Sequence, residues 1–413
     1  MKKLLVVFLV VFNVTHNYAQ QYYVNHSKIK EDLNKIIGDI EANYVYLNEK
    51  GVDLNCIRKY YENQIKHIKT EEDTVLLFEY LLDEFYDSHV ILNTNRPSSY
   101  RLSAPVYTAI TKGKFLVTSV WKSQILEEAN QIINAEILKI NGVNFNEAIN
   151  NFPTQCNDKN NSLAREWIAN KLLAGQYNKP RVLTLKLKNK KIINFDLDNI
   201  KIRAEPYYLT SKKHGDIGVI RINNALGKDI LVTEFDRALN KLMDTKGLII
   251  DLRNTVDGGN SYVARGIMGR FISTPKPYQK HLFLEQSKAS PNVNPAITRS
   301  WVEYVHARGK TYKKPVVVLV GRWTGSMGEG LAIGFEGIKR GKIVGSKMER
   351  LAGGVSSFSF KNQAYGYRIS TEKLFHLNGI ARELYEPTYV VNQTISGKDE
   401  VLEKGIKLIN KSK

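Results

Sequence analysis

Residues 315–337 read PVVVLVGRWTGSMGEGLAIGFEG, and this stretch decides the fold. Val316, Val317, Val318, Leu319 and Val320 form an unbroken run of β-formers, the pattern of a strand buried on both faces in a parallel sheet. A short loop follows. From Met327 the apolar residues Leu331, Ile333 and Phe335 read as a helix, with Glu329 in its polar first turn. Ser326 therefore stands where a buried strand hands over to a helix N-terminus. Gly325 and Gly328 on either side let another backbone or a substrate come close. Such a serine has two readings. It can simply cap the helix, or it can be a nucleophile on a sharp turn, beside free helix N–H groups that stabilise an oxyanion. The absence of Gly-Lys-Ser/Thr after the glycines argues against a phosphate-cradling loop.

The strands upstream extend the same sheet. Ile217–Ile222 and the segment GLIIDLRN (247–254) are buried-strand patterns, and the second runs into Asp257, Gly258 and Gly259 before a helix from about Ser261. Ligand chemistry in such folds gathers beyond the carboxyl ends of the strands, where Gly258, Gly259 and Ser326 would all fall. A tight strand-to-helix turn also explains the glycine pair. Residues 275–312 carry prolines at 275, 277, 291 and 295 and read as an irregular polar insertion over that edge, a lid. A terminal helix is expected from Lys398 to Ile409.

Toward the N-terminus the reading changes. Met-Lys-Lys followed by LLVVFLVVFNV is a charged start and an apolar run too short to span a bilayer, so residues 1–19 are expected to be an export signal cut after Ala19. Residues 20–99 read as a helical cap of three helices, the third opened by the capping-box-like Thr70-Glu-Glu-Asp73. The cap ends in Asp87-Ser88-His89. A lone histidine at such a junction is more often structural than functional. Residues 100–203 form a separate module of strands and two helices, in which ILKINGV (137–143) is a strand entering an Asn-Gly turn. The expected class is α/β and multidomain, with residues 204–413 as the core.

A chain of 413 residues with 43% apolar and 24% charged residues has ample material for a folded core. Its net charge of +19 raises the question of nucleic acid, but the lysines are dispersed and no binding signature accompanies them. A solvated basic surface is the better reading, with no nucleic-acid partner and no stable membrane insertion. Cys56 and Cys156 are not spaced as a metal site, and neither a metal nor a cofactor is expected. They are free to pair in an oxidising compartment, although nothing local dictates it.

Taken in order, these features resemble the C-terminal processing (tail-specific) serine peptidases, in the branch that includes the tricorn core protease. The resemblance rests on a helical cap ending in Ser-His, an ILKING strand like that of PDZ-like domains, a DLRxNxGG-like segment, a TxSxxE turn and a Gly-Lys-Asp start to the last helix. It implies a PDZ-like module at 100–203 and a crotonase- or ClpP-like layered core. It also implies Ser326 as nucleophile and the Met327 N–H as one oxyanion donor, with Gly258 or Gly259 as the other. One branch takes its base from a lysine after the nucleophile helix, where this chain has Leu351. The other takes it from the Ser-His pair, which makes His89 the base, Ser88 its support and Glu383 the acid that orients it. Glu386 is a rival orienter and Lys347 a rival base. The expected function is an exported, periplasmic or secreted, serine endopeptidase acting on polypeptides. The competing reading is an inactive peptide- or ligand-binding protein on the same scaffold.

Overall fold

The computed structural model describes residues 24–412 apart from 127–128 and 287–295, so the segment expected to be a signal (1–19) lies outside the described residues. The strand Val316–Val320 sits inside a six-stranded sheet. In spatial order this runs Tyr389–Val390, Lys342–Gly345, Val316–Val320, Gly247–Asp251, Ile217–Ile222 and Leu209–His214. All neighbours are parallel except the last, which returns antiparallel on Ile217–Ile222. Successive side chains of a strand point to opposite faces, so Ile250 and Val318 meet the helices Ile230–Asn240, Ser261–Met268 and Met327–Gly337. Ile249, Val317 and Leu319 meet the C-terminal helix Glu400–Lys411 on the other face. Helices on both faces explain why the two middle strands carry no polar alternation.

A second sheet is antiparallel and runs Val106–Thr111, Lys114–Val120, Glu136–Ile140, Val182–Lys186 and Ile192–Asp196. The helices Phe145–Asn150 and Ser162–Ala174 fill its core with Phe145, Ile149, Ile168 and Leu173. The N-terminal cap has helices His26–Asn43, Leu54–Ile65 and Glu71–Asp83, with an extra single turn at Leu47–Lys50. Thr70 and Asp73 exchange hydrogen bonds as a capping box at the start of Glu71–Asp83.

A third sheet joins the two ends of the chain. Ile91–Leu92, immediately after His89, pairs antiparallel with Gly366–Phe375, which also pairs with Gly354–Ser359 and Lys276–Gln286. Lys276–Gln286 in turn pairs with Ala296–Val305 along ten residue pairs. The irregular insertion expected at 275–312 is therefore a long β-hairpin. Its base is buried through Tyr278, Gln279 and Val305, but Ile297, Trp301 and Val302 are exposed. With solvent on both faces there is no burial to impose a two-residue period, so the strand leaves little trace in the letters. Pro277 sits at a register shift, where a missing donor is tolerated.

Cys56 and Cys156 are joined as a disulfide, with Cα atoms 5.6 Å apart and a sequence separation of 100. It ties the cap to the second module at a junction already organised by Glu84, whose buried carboxylate accepts from the Gln155 and Cys156 N–H groups and the Tyr61 hydroxyl. Closing a loop of that length is worth roughly 4–5 kcal/mol by the chain-entropy account. Replacing both cysteines by serine is expected to lower unfolding stability in urea by up to that amount while leaving the far-UV spectrum native. An unchanged urea midpoint would contradict the pairing.

Candidate active site

The loop between Val320 and Met327 is held from below by two fully buried threonines. Thr324 donates its hydroxyl to the Leu252 carbonyl and accepts from the Gly321 N–H; Thr255 also donates to Leu252. Backbone bonds from Thr255 N–H to Trp323 O and from Gly325 N–H to Thr255 O lace the ends of the two central strands together. The chain leaves this lacing at Ser326 with φ +48° and ψ −113°, a conformation that costs a non-glycine residue about 1–3 kcal/mol. The strain is held by Glu329, one turn into the helix. Its completely buried carboxylate accepts from the N–H groups of Ser326 (3.0 Å), Arg350 (2.9 Å) and Leu351 (3.1 Å). Burial pushes the Glu329 carboxyl up to about 7, against the pull of Arg382 and these three donors.

The two glycines expected at the oxyanion site have different roles. Gly258 (φ +65°) lies against the serine: a Cβ there would come within 2.4 Å of Ser326 Cβ and 2.9 Å of the Met327 nitrogen. Its own N–H, however, closes a turn on the Thr255 carbonyl at 3.0 Å, which removes it as an oxyanion donor. The N–H of Gly259 has no hydrogen-bond partner among the described residues. Gly259 packs so closely on Leu226 that no side chain fits. Of the two expected candidates, Gly259 keeps a free donor.

His89 arrives from the other end of the chain. Asp87 accepts the His89 N–H (2.9 Å) and the Tyr44 hydroxyl (2.8 Å), fixing the bend that turns the imidazole inward. The short strand Ile91–Leu92 then locks the segment onto Gly366–Phe375. The buried ring places Nδ1 2.9 Å from the Ala352 carbonyl. Arg382, almost fully buried, donates to the Leu351 and Gly353 carbonyls on either side. Burial, then the Arg382 charge, pull the imidazole down to about 4, so it is neutral at ordinary pH. Ser326 and His89 are thus held to one loop, 350–353: one through Glu329, the other through Ala352. Among the described residues no hydrogen bond joins them directly.

The remaining expectations fare differently. Glu383 was expected to orient the imidazole, but the Ala352 carbonyl occupies that nitrogen. The Glu383 carboxylate instead lies near the Tyr46 hydroxyl, whose ionisation burial and this charge oppose. The short helical turn Arg382–Leu384 explains the difference, because it aims Arg382 rather than Glu383 into the loop. Ser88 accepts a hydrogen bond from Trp167 Nε1 at 3.1 Å. Lys347 and Glu386 pair with each other in solvent, away from the imidazole. Asp87, Glu329 and Arg382 were not singled out as working residues; the only signals were an acid two residues before His89, the final letter of TxSxxE and the letter before Glu383. A cavity of about 300 Å³ opens beside the site, lined by Ser88, Trp167, Trp323, Glu349, Ala352 and Glu383 among others. No group of His, Cys, Asp and Glu able to hold a metal ion occurs among the described residues.

Replacing Gly258 by alanine imposes left-handed strain and drives a methyl into Ser326. The expected loss of stability in urea exceeds that of Gly142→Ala, which has φ +82° but open space around it. The strain alone costs about 1–3 kcal/mol. Equal losses for the two variants would contradict the close packing of Gly258 on the serine.

Residues 216–391 match peptidase family S41, and residues 25–83 match the tricorn protease C1 domain. No curated protein matches the chain in sequence. In fold the chain is similar to mature CPAF complexed with lactacystin, at 14% identity and a TM-score of 0.60, over 94% of this chain and 97% of that one. It is also similar to the photosystem II D1 C-terminal processing protease, at 14% identity and a TM-score of 0.54, over 93% and 98% of the two chains. The first matched segment contains the sheet that carries Ser326, and the second is the cap, ending six residues before His89. These matches make the chain a serine-type peptidase similar to peptidase family S41, the C-terminal processing serine peptidases, in the tricorn core-like branch.

Proposed function

We propose that this serine peptidase is exported and hydrolyses polypeptides through an acyl-enzyme on Ser326, with His89 as general base. The observation that carries the reading is the sharing of one loop by a strained serine and a buried neutral imidazole. With Nδ1–H donated to the Ala352 carbonyl, Nε2 keeps its lone pair free for a proton. Ser326 Oγ attacks the scissile carbonyl carbon as its proton passes to Nε2. The N–H groups of Met327 and Gly259 take the developing oxyanion. Collapse breaks the C–N bond, and the leaving amine departs with the proton from His89. Water repeats the sequence, releasing the new carboxylate and restoring the serine. Glu329 and Arg382 act as positioning residues, because they hold the loop and not the substrate. Export is supported by the charged and apolar N-terminal sequence and by the Cys56–Cys156 disulfide, which persists in oxidising compartments.

Ser326→Ala and His89→Ala are each expected to reduce cleavage of an unfolded protein substrate by at least about a thousandfold, with native circular dichroism. Near-normal turnover by either variant would overturn the assignment. The ascending limb of kcat/KM against pH is expected to centre near 4, the folded value for His89, and not near 6.5. The same depressed imidazole contributes stability that is complete above pH 6.5 and lost as pH falls through about 4, since the unfolded chain takes up the proton first. A limb centred at 6.5 or above would contradict a buried base.

A further inference from the structure

A second cavity, of about 350 Å³, lies on the far side of the catalytic sheet, where the second module, the strand Leu209–His214 and the C-terminal helix meet. Five cations line it: Lys122, Arg203, Lys212, Arg221 and Arg253. Three hydroxyl residues, Ser123, Thr210 and Ser211, share its wall, and Val219 and Leu402 are its only apolar members. Arg253 is held on both sides by Asp251 and Asp399. Lys122 pairs with Glu400 at 3.3 Å and donates to the Thr394 and Ser396 carbonyls. One end of Arg221 pairs with Glu205 at 3.4 Å and donates to Gln124. The Arg203 and Lys212 side chains, in contrast, have no hydrogen bond or ion pair among the described residues, and the buried Nε of Arg221 has no partner either. Burial lowers the basicity of the Arg221 guanidinium; Asp251, which also lines the cavity, and Glu205 pull the other way, and the like charges of Arg253 and Arg203 add to the effect of burial.

The geometry points to a binding site for a compact tetrahedral oxyanion, such as phosphate or sulfate, held by Arg203, Lys212 and the free Nε of Arg221. An ion of that kind satisfies an orphaned buried donor and two unpaired charges together, and the hydroxyls of the wall can donate to its remaining oxygens. Its seat bridges three parts of the chain beside Arg253, whose carbonyl accepts from Trp121 Nε1 of the second module. Occupancy therefore strengthens the junction between that module and the catalytic sheet. This site is separate from the cavity beside Ser88 and does not depend on the peptidase mechanism.

The test is calorimetric titration of the whole protein with inorganic phosphate, sulfate and acetate at constant ionic strength set by sodium chloride. Saturable one-to-one binding of phosphate and sulfate is expected, with acetate at least about tenfold weaker. The double variant Arg203→Gln/Lys212→Gln, altered only at exposed positions, is expected to raise the phosphate Kd by about tenfold or more. Lys212→Arg, which keeps the charge, is expected to bind as the wild type does. Absence of saturable binding, or a double variant with unchanged affinity, would overturn the site. Acetate binding as tightly as phosphate would overturn the tetrahedral assignment.

Discussion

One buried carboxylate organises the edge of the sheet that carries Ser326. Glu329 gathers three backbone N–H groups from two separate loops, one belonging to the serine turn and two to the loop 350–353. Hydrogen bonds to a charged acceptor are worth about 1.5–3 kcal/mol each, enough together to hold Ser326 in a conformation it would otherwise leave. The arrangement has a cost, visible in the upward shift of the Glu329 carboxyl, and Arg382 offsets part of it from the far side of the loop. Without that carboxylate, three donors would be left unpaired in an interior that water does not reach. The serine turn would then have no reason to remain strained.

The rest of the fold delivers the second half of the site to that loop. The cap is pinned to the C-terminal half of the chain by the fully buried Asp32, which accepts from the Lys361 and Asn362 N–H groups. The pairing of Ile91–Leu92 with Gly366–Phe375 then sets the height at which His89 enters. The second module docks through two tryptophans stacked 5.2 Å apart and nearly parallel. Trp121 donates to the Arg253 carbonyl of the core, and Trp323 donates to the Ala104 carbonyl of the module. Each ring contributes its only donor across the junction, so the serine loop and the module constrain one another.

The parallel sheet was legible because helices cover both of its faces, and two-sided burial writes itself into sequence as unbroken runs such as VVVLV and GLIID. The handover at Ser326 could be read because the VVVLV run ends abruptly in glycines and a helical period, and the helix after Thr70 because its capping box is local in sequence. The hairpin at 276–305 could not, because residues 297–302 of its returning strand face solvent on both sides and no periodicity results. The orienting group on His89 was missed for a different reason. The expectation looked for a carboxylate, and every residue has a carbonyl, so nothing in the letters marks Ala352. The distinction between Gly258 and Gly259 turned on a single backbone bond to Thr255, which depends on the loop geometry and not on composition. The Cys56–Cys156 pair needed the docking of the cap on the second module before its two halves came within reach.

The central claim is that the Glu329 carboxylate keeps Ser326 in register with the loop that holds the imidazole. It is tested most directly by the rate at which a fluorophosphonate modifies the protein, with the adduct mapped by mass spectrometry. In the native protein the adduct should fall on Ser326. In Glu329→Gln, which replaces an acceptor oxygen by a donor facing the same N–H groups, the rate should drop by about a hundredfold with the far-UV spectrum retained. Modification of that variant at the native rate, or an adduct on another residue, would contradict the account.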